Sequence, residues 1–340
     1  MIRSCLPGLC LLFMSAATPV VLAQSSSQSV ASQSAAPIQV TVDVTDAPRK
    51  IYHAHLVIPV HPGPLTLLYP KWIPGEHSPS GPIESLTGLI IRAGGGEGSP
   101  LAWSRDDVNM FAFHLTVPAG VTSLDVHDDF LATAAPSGDS SGASTSANIA
   151  VLNWNEILLY PAGTQASQLM LTPAIKLPAD WQYGSALTKT GEGDGVVHFA
   201  PVTLEQLIDS PLLAGRYFAE FPLAPEVTPK HYLDLAADGP EDLKIKPEAL
   251  AAYDNLIRET GALYRSRHYD SYHFLVTLSD HVGVAGIEHH QSSDDRVGEK
   301  TFLDDNLALM NADLLPHEFT HSWNGKYRAC HRELRRSDEG

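Results

Sequence analysis

Apolar residues occupy every second position at Ile38, Val40, Val42 and Val44, with polar residues between them. A two-residue period places one set of side chains on one face of a strand, so such a segment buries one side and wets the other. Short β-rich runs follow at residues 55–60, 65–69, 86–92, 111–117 and 123–126, separated by Pro and Gly turns, and strand-like character returns at 149–160 and 168–177. Residues 132–147 are rich in Ser, Gly and Ala and read as a long exposed loop. Many short strands without intervening crossover helices predict an antiparallel β-sandwich.

The pattern changes near Thr203. Leu204-Glu205-Gln206-Leu207-Ile208 reads as a helical turn, Asp209-Ser210-Pro211 as a break, and 217–223 as another strand. Pro247 suits a first helical position, and Leu250, Tyr253, Ile257 and Tyr264 recur at helical spacing as far as about Arg267. Residues 272–278 read as a strand, and 304–324 as a helix kinked or restarted at Pro316. The chain is therefore expected to be an α+β multidomain protein, β-rich over 38–209 and α/β over 210–328. Its 340 residues suffice for about two domains with separate cores. No internal repeat is visible.

The first residues read as an address. Arg3 supplies the charge, residues 9–14 the apolar run and Val21-Leu22-Ala23 a small-residue cleavage site, which predicts a signal peptide over 1–23 and a periplasmic or secreted mature chain. The apolar stretch is short and interrupted by Pro7, Gly8 and Pro19, which argues against an anchor and against stable membrane insertion. Cys10 lies inside the run instead of at its end, which disfavours acylation. Removal of this segment takes Cys5 and Cys10 and leaves Cys330 without an intrachain partner. Residues 24–37, rich in Ser, Gln and Ala, are expected to form a flexible leader. Lys+Arg 22 against Asp+Glu 39 gives a net charge of -17, which opposes binding to phosphate backbones and excludes nucleic acid as an expected partner.

The sharpest chemical signal is His317-Glu318-Phe319-Thr320-His321. Residues four apart share a helix face, so both imidazoles can reach one Zn²⁺ while Glu318 stands beside it as a general base. Zinc at such a site polarises a scissile carbonyl and acidifies water towards a pKa of about 7. A second signal is Gly283-Val284-Ala285-Gly286-Ile287-Glu288-His289. Read alone, Glu288 is equally a solvated loop carboxylate. His289 and His290 are adjacent, point in different directions and read as satisfied or solvated histidines, not as a chelating pair.

Together with Trp72-Ile73-Pro74-Gly75, Leu207-Ile208-Asp209-Ser210-Pro211 and Trp323-Asn324-Gly325-Lys326, these motifs make residues 38–328 resemble the exported glycyl aminopeptidases. These are thermolysin-like gluzincins with a β-rich N-terminal domain and a C-terminal PDZ domain. The resemblance implies a zinc metalloaminopeptidase that removes small N-terminal residues from peptides. It implies His317 and His321 as metal ligands, Glu318 as catalytic base, Glu288 as receiver of the substrate ammonium, and Gly286 on the strand that pairs with substrate. The Trp72 segment reads most simply as a buried strand end before a turn, and Trp323 as packing behind the metal helix.

A gluzincin takes a third ligand, a Glu, from a second helix. Only Glu333 and Glu339 remain among glutamates after His321, with His331 as a makeshift alternative, and the tail 329–340 departs from the family pattern. The expectation is a partial gluzincin domain, C-terminally truncated and impaired by loss of the third ligand. The alternative is an inactive chain acting only as a β-sandwich binding module.

Overall fold

The computed structural model describes residues 36–76, 78–95, 98–133 and 144–327. The expected signal peptide, nearly all of the leader, part of the 132–147 loop, and the tail with Cys330, His331, Glu333 and Glu339 lie outside the described residues. What is described is a β-sheet-rich front followed by a smaller α/β region.

The alternating segment forms the strand Ile38–Asp43, whose Val40 and Val42 are fully buried. It lies inside a large sheet, between Ile51–Pro59 and Met170–Lys176. The Met170–Lys176 pairing is parallel; the other pairings in this sheet are antiparallel. Ser123–Leu131 and Leu86–Ala93 extend it on the far side of Ile51–Pro59. A second sheet, with Gly63–Leu68 and Ala112–Val117 at its centre, contributes Leu67, Phe113, Leu115 and Val117 to the same core as Leu56, Ile58, Val126 and Phe130. Each fully buried aliphatic side chain of this kind is worth about 1.5–3 kcal/mol, so the period-two pattern carries most of the folding drive here.

A third sheet joins front to back. Ile149–Leu152 pairs antiparallel with Leu212–Gly215, just past the expected boundary near residue 210. Ala150, Leu152, Leu212 and Ala214 face the front core, whereas Ile149, Val151 and Leu213 pack with Ala236 and Leu275 of the back region. A sheet covered on both faces needs apolar residues at every position, and both strands are apolar or Gly throughout.

The back region is a five-stranded sheet in the order Tyr217–Leu223, Lys230–Ala237, Ser271–Leu278, Ser292–Val297, Ala285–Glu288. The middle three strands run parallel and both outer strands are antiparallel to their neighbours. Ala285–Glu288 is the short edge. Four α-helices are found among the described residues: α1 (Leu204–Ile208), α2 (Pro247–Tyr264), α3 (Asp305–Met310) and α4 (Leu314–His321). Helix α2 starts at Pro247 and stops at Tyr264, where Arg265 turns left-handed (φ 55°). Its Leu250, Tyr253, Ile257 and Tyr264 belong to or pack on the core formed with α4. The helix expected over 304–324 is two. Asp304 caps α3 by accepting from the amides of Asn306 and Leu307, and the restart falls at Leu314, which places Pro316 in the first turn, where its missing N–H costs nothing.

Among the described residues, no helix is long and apolar enough to cross a membrane.

Candidate active site

Helix α4 is held by its apolar side. Phe319 is fully buried, and its ring meets Tyr272, Phe274 and Trp323 at centroid distances of 4.5, 5.2 and 5.0 Å. Trp323 stacks on Tyr264 and donates its indole N–H to the Ser266 carbonyl at 2.7 Å, so it packs the helix from behind. Fixing Phe319 in this way turns His317 and His321 outward. Their Nε2 atoms stand 3.2 Å apart.

That separation matches two neighbouring ligands of a tetrahedral ion with bonds of about 2.0 Å, which lie about 3.3 Å apart. His321 Nδ1 is 3.0 Å from the Asn324 carbonyl oxygen. A nitrogen beside a carbonyl carries the proton, which leaves Nε2 as the lone-pair donor. The contact depends on a break in the helical path at Asn324 (φ -107°, ψ 82°) and Gly325 (φ 144°). The backbone angle at Gly325 favours glycine, and a Cβ there would crowd His321 Nδ1 at 3.2 Å. Among the described residues, His317, Glu318 and His321 are the only ones that gather ligand atoms at this place. The donor chemistry fits a zinc ion, with two imidazoles first in line.

Glu318 is 5% exposed and lies beneath the edge strand. A Cβ at Gly286 would meet Glu318 Oε1 and Leu314 Cδ1 at 2.6 Å each, so this glycine lets the edge strand close onto α4. Gly286 is opposite Asp295, and Glu288 opposite Ser293, in the antiparallel pair, so these four residues share the sheet face that α4 covers. Burial raises the Glu318 carboxyl above its ordinary range, and the neighbouring Glu288 carboxylate raises it further against the pull of His317 and His321. Two carboxyl groups and two imidazoles thus converge at one end of the edge strand.

The segment after Trp72 arrives from the front. It is a turn, not a strand end, because the strand before it stops at Leu68. Gly75 (φ 91°) sits so close to the edge strand that a Cβ would be 2.9 Å from Ile287 Cγ2 and 3.3 Å from Glu288 Oε2. The front region therefore covers one side of Glu288, which is buried and not a solvated loop carboxylate.

Asp209 and Lys326 stand inside two of the motifs without a role that the sequence itself suggests. Asp209 Oδ1 takes His289 Nδ1 at 3.0 Å and Lys326 Nζ at 3.1 Å, and Oδ2 accepts the His290 amide at 2.9 Å. Burial pushes the Asp209 carboxyl up, but the Lys326 ammonium and the His289 bond outweigh it and hold it well below the usual carboxylate range. One carboxylate thereby ties the α1 junction to the residues after the edge strand and to those after α4. Ser322 adds a bond from its hydroxyl to the His290 carbonyl at 2.8 Å. The signal was a charged residue inside each otherwise packed motif. His289, 3% exposed and bonded to Asp209, is a satisfied core histidine at Nδ1, and its buried Nε2 has no hydrogen-bond partner among the described residues.

Among solved structures the chain is similar to the aminopeptidase N family protein from Idiomarina loihiensis, with 19% identity, a TM-score of 0.70, and coverage of 84% of this chain and 48% of that one. It is also similar to yeast LTA4 hydrolase, with 13% identity, a TM-score of 0.50, and coverage of 85% and 44%. These likenesses show a shared fold, and the chain spans about half the length of the structures it matches. A comparison with curated proteins found no match. Residues 39–216 match the Peptidase M61 N-terminal domain, and the chain belongs to that metallopeptidase family.

Proposed function

We propose that the protein is an exported zinc-dependent aminopeptidase that removes small residues such as Gly or Ala from peptide N-termini, on a thermolysin-like gluzincin framework. The observation that carries this reading is the 3.2 Å approach of the His317 and His321 Nε2 atoms directly beside the buried Glu318. Zinc held there by the two imidazoles supplies Lewis acidity to the scissile carbonyl. Glu318 acts as general base: it takes the proton of the attacking water and passes it to the departing amine. Its raised affinity for protons, from burial and Glu288, suits both halves of that exchange.

Glu288 receives the substrate ammonium and so sets the exopeptidase register, a charge-assisted contact strengthened by burial. The outer edge strand Ala285–Glu288 pairs with the peptide backbone, with Gly286 at the closest approach. The Gly75 turn pressed against Glu288 leaves little room beside the ammonium, which supports a preference for small first residues. Because the described residues provide only two imidazoles beside Glu318, their zinc is exchangeable unless a further ligand joins them.

The test is hydrolysis of Gly- and Ala-anilides by the purified chain with added zinc. Turnover is expected to depend on zinc, to fall at least about a thousandfold in Glu318→Gln with zinc binding retained, and to vanish with zinc binding in His317→Ala. Turnover indifferent to Glu318→Gln would sink the assignment. No turnover at any zinc concentration favours the second reading, a non-catalytic β-rich binding module, which the two-imidazole site motivates.

A further inference from the structure

The front sheet carries a second group of metal-ligand side chains that the proposed peptidase chemistry does not use. His55 and His127 are directly opposite each other on the antiparallel strands Ile51–Pro59 and Ser123–Leu131. Opposed residues project to the same face, as do residues two apart on one strand, so Asp125 joins them. The imidazoles stack with centroids 4.4 Å apart and planes 3° from parallel. Both Nε2 atoms address the same carboxylate: His55 Nε2 is 3.1 Å from Asp125 Oδ2 and His127 Nε2 is 2.7 Å from Asp125 Oδ1. The three ligand atoms lie within 4.8 Å of one another.

We propose that His55, Asp125 and His127 form a second divalent transition-metal site, on the outer face of the front sheet and independent of the α4 site. The placement is rigid, because both strands are flanked by further strands of the same sheet. The two nitrogen–oxygen contacts reach different oxygens of one carboxylate and the rings lie nearly parallel, so taking up an ion requires the imidazoles to turn until both Nε2 lone pairs meet at one point, a movement their exposure allows. Two imidazoles and one carboxylate suit zinc, cobalt, nickel or copper; calcium and magnesium require more oxygen ligands than this group offers. The histidine side chains are 42% and 46% exposed, which leaves the remaining coordination positions to water.

The surrounding charge favours a cation on balance. A second row beside the group contains His53, whose ring bonds to Asp129 at 2.6 Å and Asp46 at 3.2 Å. Arg92, opposite Asp125 on the next strand, opposes the ion. Thr41 and Ile90, opposite His55 and His127 on the outer sides, are uncharged. An ion here bridges two neighbouring strands and braces the front region.

The experiment uses the full chain with His317→Ala and His321→Ala, so that the α4 site is silent, and titrates it with Co²⁺ by visible absorption and with Zn²⁺ by equilibrium dialysis. One ion per chain is expected, with a cobalt spectrum of mixed nitrogen and oxygen ligation. Adding His127→Ala or Asp125→Asn should each weaken binding at least tenfold, whereas adding His53→Ala should change it less than twofold. Absence of binding at tens of micromolar free metal overturns the proposal, as does binding that both variants leave unchanged. Asp125→Asn preserves side-chain shape, which keeps the test decisive if His127→Ala disturbs the sheet. Success or failure here is separate from hydrolytic activity.

Discussion

His231 shows how strongly a single environment decides chemistry in this chain. Its side chain is 1% exposed, and Nε2 lies 2.9 Å from the Tyr269 hydroxyl. Burial, helped by the positive charges of Arg267 and His273, pulls its pKa down to about 4 from 6.5. The folded chain therefore binds this proton less readily than the unfolded chain. The contribution to stability is complete above about pH 6.5 and is lost as pH falls towards 4, by an amount of about 3 kcal/mol at the lower end. In urea unfolding measured from pH 7 to pH 4, the wild-type stability should fall relative to His231→Phe across that window; parallel curves would show that His231 titrates normally. By contrast, the depressed Asp209 carboxyl keeps its ties to Lys326 and His289 throughout this range and loses them only well below the ordinary carboxylate window. Neither environment was legible in the sequence, because His231 falls in no motif and Asp209 gains its meaning from partners 80 and 117 positions away.

At the scale of elements, the contact between the edge strand and α4 is the most exacting. Gly286 has no positive φ, so alanine fits its backbone, but a methyl group there would stand 2.6 Å from Glu318 Oε1 and Leu314 Cδ1. Gly286→Ala should displace Glu318 and lower kcat/KM by about a hundredfold, the usual result of a misplacement near 1 Å. Zinc affinity and Tm should change little, since the nearest atoms to the added methyl group belong to Glu318 and Leu314 and not to His317 or His321. Unchanged kcat/KM alongside normal zinc binding would rule out this spacing role. Elements with periodic apolar faces were readable from sequence: Ile38–Asp43, Ser271–Leu278 and the start of α2 fall where the pattern placed them. Ser292–Val297 was not. Its sequence Ser-Ser-Asp-Asp-Arg-Val has no apolar period, yet every residue is buried, because Ser293 bonds to Asp295 and Asp294 to Arg296. Internal pairing takes the place of hydrophobicity there, and only the fold brings those pairs into the centre of a sheet.

For the whole molecule, that same strand shows how front and back depend on each other. Asp295 and Ser293 share the α4 side with Gly286 and Glu288, so Asp294 and Arg296 point to the other face, towards the front region. Arg296, 2% exposed, forms an ion pair with Asp294 at 2.6 Å and lies in the electrostatic field of Glu156 and Tyr52, both from the front region. A separate apolar seam, Ile149, Val151 and Leu213 against Ala236 and Leu275, also joins the two regions. Charges taken out of water in this way stabilise little as a set, but removing one partner strands the others. Arg296→Met should therefore cost about 3–5 kcal/mol in urea unfolding, and Arg296→Met with Asp294→Leu should recover a large part of that loss, because Glu156 keeps its bond from the Asn153 amide. If the guanidinium joins the two regions, the single variant should also split one unfolding transition into two, with front and back followed by separate fluorescence probes. A single variant as stable as wild type, with one transition, would mean that the apolar seam alone couples the α/β region to the β-rich region that identifies the family.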